Sequence, residues 1–318
     1  MATNVAVVPA VKRRIQVGDA VARIVTAAFA GVILLICLVL IFELWIHAAP
    51  ARNKFGLSFL IGTNWDPVAG DFGALPFIYG TIVTSLIALF ISVPLGLGAA
   101  IFLSELAPAG LSSGLTFLVE LLAAIPSVIY GLMAIFTLEP LMRSYIAPFL
   151  RATLGFLPFF QGPSYGVGYL TAGMILSIMT FPFIISVSRE ALLAVPREQR
   201  EAALALGATK WESTRQVVVP YARLGIMGSI FLALARALGE TMAVTMVIGN
   251  TPTIAASLFA PGYSIAAVLA NEFTEATGTL HPATLINLAL VLFLITIVIN
   301  GLARLLIIAT TGKGTAKA

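Results

Sequence analysis

Apolar and polar positions alternate along this chain in long blocks, and no charged residue lies between Asp71 and Glu105. Such a block outruns the roughly 20 residues that cross about 30 Å of hydrocarbon at about 1.5 Å per residue. The pattern therefore predicts membrane-spanning helices, not the one-sided apolar stripe of a water-soluble bundle. Six spans are predicted, at 24–47, 75–103, 115–138, 168–188, 224–248 and 283–309. Pro94, Pro126 and Pro182 fall inside them. Each removes a backbone donor and kinks or breaks its helix, which lipid tolerates only where neighbours or a water-lined cavity satisfy the freed groups. Gly80, Gly96, Gly98, Gly131, Gly173, Gly228 and Gly239 offer close helix contacts or hinges.

The intervals between spans differ in kind. The stretch "RNKFGLSFLIGTNWDPVAGDFGALP" is rich in Gly, Pro, Asn and Asp and reads as loop and turn. Residues 139–167 include "FLPFFQGPSYG", whose aromatics suit a membrane interface and whose Gly and Pro punctuate turns. Residues 251–282 carry Glu272 and Glu275 and no Lys or Arg. In the interval 189–223, Pro196 opens the helical stretch "REQREAALALG", and Gly207 fits a helix C-terminal position with positive φ. Thr209 and Glu212 stand at capping-box spacing and predict a second short helix that ends by Pro220.

Composition agrees with the pattern. Of 318 residues, 59% are hydrophobic and 10% charged, against about 25% charged in ordinary soluble domains. Lys and Arg fall thirteen to four in favour of one side when the termini share it. By the positive-inside rule that side is the cytoplasm, and the net charge of +4 is mostly this topological bias, with no nucleic-acid partner implied. The first span follows Lys12, Arg13 and Arg14 but is too long for a signal-peptide core, so it reads as an uncleaved anchor. The lone cysteine, Cys37, has no partner in the chain for a disulfide. No G-x-x-x-x-G-K-[ST] phosphate loop and no G-x-S-x-G elbow occurs, and the two histidines are too few for a metal site, so no enzyme is expected.

One spacing is recognisable. Glu201-Ala202-Ala203, three residues, Gly207, nine residues, Val217, one residue, Val219 and Pro220 resembles the EAA loop of ATP-binding-cassette importer permeases, with valine where that family usually has isoleucine and leucine. From Gly70 onward, "IPSVIYGLMAIF" and above all "RALGETMAVTMVIGN" are similar to the phosphate-importer permeases. The resemblance implies an all-α integral membrane fold of the type I importer permease kind, six transmembrane helices with a cytoplasmic coupling helix, in a bacterial inner membrane with both termini cytoplasmic. It divides the chain into residues 1–74 (basic tail, first helix, external loop), a permease core 75–309 containing the coupling loop 189–223, and a tail 310–318. Glu201, Ala202, Ala203 and Gly207 would then dock on a cytoplasmic ATPase. The implied partners are a second, homologous permease subunit, two copies of that ATPase, which uses ATP and Mg, an external phosphate-binding protein, phosphate and membrane lipid. This chain itself would bind no cofactor.

Within the spans, Arg236 and Glu240 are four apart and share a face if the helix is regular there. A charge near a bilayer centre costs about 2.5 to 3.5 kcal/mol on insertion scales, so each must be paired or face a polar interior. Beyond mutual neutralisation, a guanidinium suits phosphate oxygens, and Arg236 exchanging between Glu240 and a passing anion would lower a transit barrier without making a deep trap. Glu43 is expected to snorkel to the interface and Glu120 to bond within the bundle. Rival readings are a permease for sulfate, molybdate or another oxyanion, and an ion-driven carrier or channel.

Overall fold

The computed structural model describes residues 17–311, and the predicted basic cluster Lys12 to Arg14, with Lys313 and Lys317, lies outside them. The chain divides into two units at Ile46 and His47. The first holds α1 (Val17–His47), whose run from Ile24 to Phe42 carries no charge.

The second unit opens with α2 (Ala49–Phe55), α3 (Ser58–Ile61) and a small antiparallel hairpin, β1 (Trp65–Asp66) with β2 (Asp71–Phe72), in which Trp65 faces Phe72. There follow α4 (Leu75–Ile101), α5 (Ala109–Ala124), α6 (Ser127–Met133), the single turn α7 (Glu139–Leu141) and α8 (Ala147–Leu154). Next come α9 (Tyr169–Leu193), α10 (Arg197–Ala205), α11 (Lys210–Ser213) and α12 (Val219–Gly239). The series closes with α13 (Met242–Thr245), α14 (Ile265–Glu272) and α15 (Leu280–Thr311). Among the described residues five helices are long and apolar enough to cross a membrane, and a sixth span is reached when the pair 109–124 and 127–154, bent by 92°, is counted as one.

At the centre stands α9, two thirds buried along its most apolar stretch. Lipid offers no hydrophobic drive between helices, so close backbone approach and interhelical hydrogen bonds hold them. A Cβ on Gly173 would meet the Ile87 side chain at 2.4 Å and one on Gly96 the Ile184 side chain at 2.8 Å, which locks α4 onto α9. Gly225 sits as tightly against Ala191, 2.3 Å, where α12 crosses α9. The buried hydroxyls of Ser188 and Ser229 bond each other at 2.7 Å across the same pair. By contrast Gly98, Gly228 and Gly239 have open space where a side chain would go, so they hold no close contact. At the far end of the bundle Trp65, Phe72, Phe77 and Tyr263 form an aromatic cluster, and the Trp65 Nε1–H donates to Glu272 at 3.0 Å.

Prolines shape the rest by a common device. Stretches at 102–106, 134–138, 142–146 and 214–218 are π-helical, and each ends two residues before Pro108, Pro140, Pro148 or Pro220. In all four, the residue preceding the proline donates its N–H to the carbonyl five back: Ala107 to Phe102, Glu139 to Ala134, Ala147 to Met142 and Val219 to Thr214. A proline ring presses on the carbonyl four residues back in a regular helix, and widening the turn by one residue relieves that contact.

These turns correct several expectations. The helix predicted to end by Pro220 instead runs on from Lys210 to Gly239, so the span predicted at 224–248 lies earlier and stops at Gly239. The span predicted at 115–138 is not one helix: α5 and the helical run from Ser127 to Leu154 meet at 92°. Ile125, forced out of the helical region by Pro126, is extended there (φ −66°, ψ 128°). Residues 139–154, expected to lie in an external segment between spans, are helical, with Pro140 and Pro148 accommodated by the widened turns before them. Pro50, at a first-turn position where no N–H is needed, starts α2 in what was read as loop. Glu120 is exposed on α5, and among the described residues its side chain makes no hydrogen bond or ion pair within the bundle.

Candidate functional site

The loop between α9 and α12 is built by local hydrogen bonds. After Pro196, in extended conformation, α10 runs to Ala205. It closes on Gly207, φ +88°, whose N–H bonds Leu204 at 3.0 Å while the Ala208 N–H bonds Ala203 at 3.2 Å. That pair of bonds is a Schellman motif, and it needs a residue that tolerates positive φ. Immediately afterwards the Thr209 hydroxyl accepts from the Glu212 N–H at 3.2 Å, and the Glu212 carboxylate accepts from the Thr209 N–H at 2.8 Å. The expected capping box is present on both sides. Those bonds from the Thr209 backbone and hydroxyl hold the Glu212 carboxyl below the usual carboxylate range.

The resulting helix–turn–helix presents Glu201 and Ala202 exposed, with Ala203 half-buried. Leu206 is 90% exposed and no neighbour lies within 4 Å of a Cβ placed on Gly207. A recess of about 540 Å³ opens at this loop, lined by Ala202, Ala203 and Val217 together with Gln199, Glu212 and Gln216. A recess of mixed apolar and polar lining is suited to receive another protein.

Arg200 ties this loop to the bundle, a contact that sequence reasoning missed. Its guanidinium donates to both oxygens of Glu105, at 2.9 and 3.1 Å, and to the carbonyls of Leu192 at 2.7 Å and Val195. Glu105 lies in the widened turn that follows α4, and its side chain is only 10% exposed. Arg200 is separated from it by 95 residues, so no local spacing links them. The available signal was Glu105 itself, the first charge after a long uncharged block.

The interior pair behaves differently from expectation. Helix α12 ends at Gly239, and Glu240 is extended (φ −70°, ψ 127°), so the two side chains do not continue one helical face. Glu240 accepts instead from the Ala243 N–H at 3.4 Å, beside the start of α13. Among the described residues Arg236 forms no ion pair; its guanidinium lies 4.3 Å from the Phe183 ring centre, and its Nε is buried without a hydrogen-bond partner. Phe183 stands on α9 about 21 Å from the helix start and about 15 Å from its end at 1.5 Å per residue. Arg236 is thus a permanent charge near mid-depth of the central helix, held by an aromatic face. Elsewhere in the bundle the Thr245 hydroxyl donates to the Thr241 carbonyl at 2.7 Å, while the Ser85 and Ser92 hydroxyls are buried without a partner. Among the described residues no three His, Cys, Asp or Glu side chains converge.

The chain is similar to known proteins in sequence and in fold. The sequence model described as "Binding-protein-dependent transport system inner membrane component" matches residues 92–309. The "Phosphate transport system permease protein PstC" of Mesorhizobium japonicum is 47% identical over 296 residues, covering 92% of this chain and 90% of that protein. Its namesake in Haemophilus influenzae is 48% identical over 286 residues, 89% and 90% of the two chains. "PstC 2" of Mycobacterium tuberculosis is 35% identical over 310 residues, 95% of each. A solved structure of the MetNI methionine ABC transporter superposes with a TM-score of 0.50 over 72% of this chain and 93% of that one, at 20% identity, a likeness of fold. The chain belongs to the binding-protein-dependent transport system inner membrane components, in the branch of that family named PstC.

Proposed function

We propose that this chain is the membrane-spanning permease subunit of an ATP-driven importer of inorganic phosphate. The observation that carries the reading is the preformed helix–turn–helix at residues 197–213, which exposes Glu201, Ala202 and Gly207 on a frame closed by its own caps. A self-contained channel or ion-driven carrier has no need of such a dock. Relatives named for phosphate transport, identical to this chain at nearly half of the aligned positions, support the substrate. As a permease component the chain is not itself an ATPase.

The finer parts of the proposal follow from charge and geometry. The dock faces the cytoplasm, in keeping with the Lys and Arg of its loop, and both termini lie on that side. Two copies of an ATPase, fuelled by ATP and Mg, grip this loop and its counterpart on a second, homologous permease subunit. Their closure moves α10 as a rigid lever, opens the bundle outward to a phosphate-binding protein, and releases the anion inward after hydrolysis. Arg236 serves the route: unpaired and stacked on Phe183, it offers planar donors to a phosphate oxyanion in passing. Glu240, turned toward α13, shapes the path beside it.

The test is uptake of labelled phosphate at low external concentration, in cells that lack their own high-affinity importer and express this chain with its companion subunits. Accumulation that excess unlabelled sulfate or molybdate leaves unchanged is the expected result. Suppression by either oxyanion would overturn the substrate, and uptake that persists without the ATPase would overturn the coupling.

A further inference from the structure

We propose that the Arg200–Glu105 pair is the transmission link of this permease, converting movement of α10 into joint movement of the ends of α4 and α9. The proposal rests on the reading of residues 197–213 as the ATPase dock.

One guanidinium engages three segments at once. Arg200 belongs to α10, one residue before Glu201; Glu105 lies one residue before the end of the helical run that began at Leu75; Leu192 is in the last turn of α9 and Val195 just beyond it. A two-pronged carboxylate contact fixes direction as well as distance, which a single contact or an apolar one does not. Glu105 is largely withdrawn from solvent, so its partner cannot be replaced by water without loss. Beyond this link, α4 and α9 are already locked to each other through Gly96 and Gly173. A displacement of α10 therefore reaches two core helices as one body, and through Gly225 and the Ser188–Ser229 bond reaches α12, which carries Arg236. The widened turn at 102–106 places Glu105 on a stretch whose hydrogen-bond register differs from that of α4, a position able to take up small rotations.

A transmission link differs from a plain anchor in what its loss changes. An anchor sets how much complex assembles; a link sets how much phosphate moves per ATP consumed. The experiment uses the complete importer in proteoliposomes, with inorganic phosphate, ATP and the binding protein, and reads both rates for the same preparation. Glu105→Gln keeps the shape of the side chain, and Arg200→Lys keeps the charge but loses the fork. The expected result for each is ATP hydrolysis close to wild type with phosphate delivered per ATP reduced by about tenfold or more. An unchanged ratio in assembled Glu105→Gln or Arg200→Lys complexes overturns the proposal, as does a loss confined to the yield of complex for both variants. Gly207→Asp separates this from the reading beneath it. If that variant still binds and couples the ATPase, the dock itself is wrong; if it releases the ATPase while Glu105→Gln stays fully coupled, only the link is wrong.

Discussion

The loop at 194–213 and the interior around Arg236 treat polar groups in opposite ways. In the loop the turn between the two helices is closed by its own residues, with Gly207 finishing one helix and Thr209 starting the next two residues later. Inside the bundle a permanent charge is left with an aromatic face and a buried Nε that bonds nothing. A docking element must keep its shape before a partner arrives, so its polar groups are saturated from within. A conduction element must keep donors free, because a group already satisfied has nothing to offer a passing ion.

The comparison breaks most readily at Arg236. Arg236→Gln should lower phosphate uptake by about a hundredfold, which corresponds to a transit barrier higher by about 2.7 kcal/mol, while the complex remains assembled. Normal uptake by this variant would reduce the arginine to a packing residue on Phe183. On the loop side, Gly207→Asp leaves α10 folded, since aspartate tolerates positive φ better than most residues, but adds bulk and charge to the docking face. Co-purification should show ATPase association weakened by at least about tenfold.

A smaller effect is expected from Thr209→Ala. Losing this cap costs about 1 kcal/mol, so association should fall by roughly fivefold and the amides of α11 should exchange faster. Smaller again is Glu240→Gln: with no ion pair to Arg236, uptake should change by less than about threefold. A collapse as large as that of Arg236→Gln would rejoin the two residues functionally. The last prediction concerns acid. The Glu212 carboxyl is held low by Thr209, so its contribution is present at neutral pH and is lost as pH falls through that depressed value. Protection of the Thr209 amide should follow that fall, and protection that stays flat down to the most acidic tolerable buffer would refute the assignment.

What could be read in advance follows the same division. Gly207 and the Thr209–Glu212 spacing were legible because their partners lie within a few residues, and the structure forms both motifs where they were expected. Five of the six predicted spans were legible because lipid imposes a length on every apolar block. The Arg200–Glu105 link was not, since nothing in a 95-residue separation encodes a meeting that only the packing of α4 against α9 produces. The Arg236–Glu240 pairing failed for a local reason: its four-residue spacing presumed a helix that ends at Gly239. Prolines divided: Pro126 breaks its helix as expected, Pro94 and Pro182 lie inside continuous helices, and Pro220, read as a helix end, is absorbed into a longer run.

That absorption carries its own consequence for how such a chain is read. A π turn holds one residue more than an α turn, so it acts as a single-residue insertion and rotates everything downstream by about 100° around the helix axis. The stripes on either side of 138, 146 and 218 are therefore out of phase, and each proline works as a phase marker. In the run from Lys210 to Gly239, the side that α11 offers to the loop and the side that α12 offers to α9 are set independently, by a one-residue clutch at Thr214 to Val218.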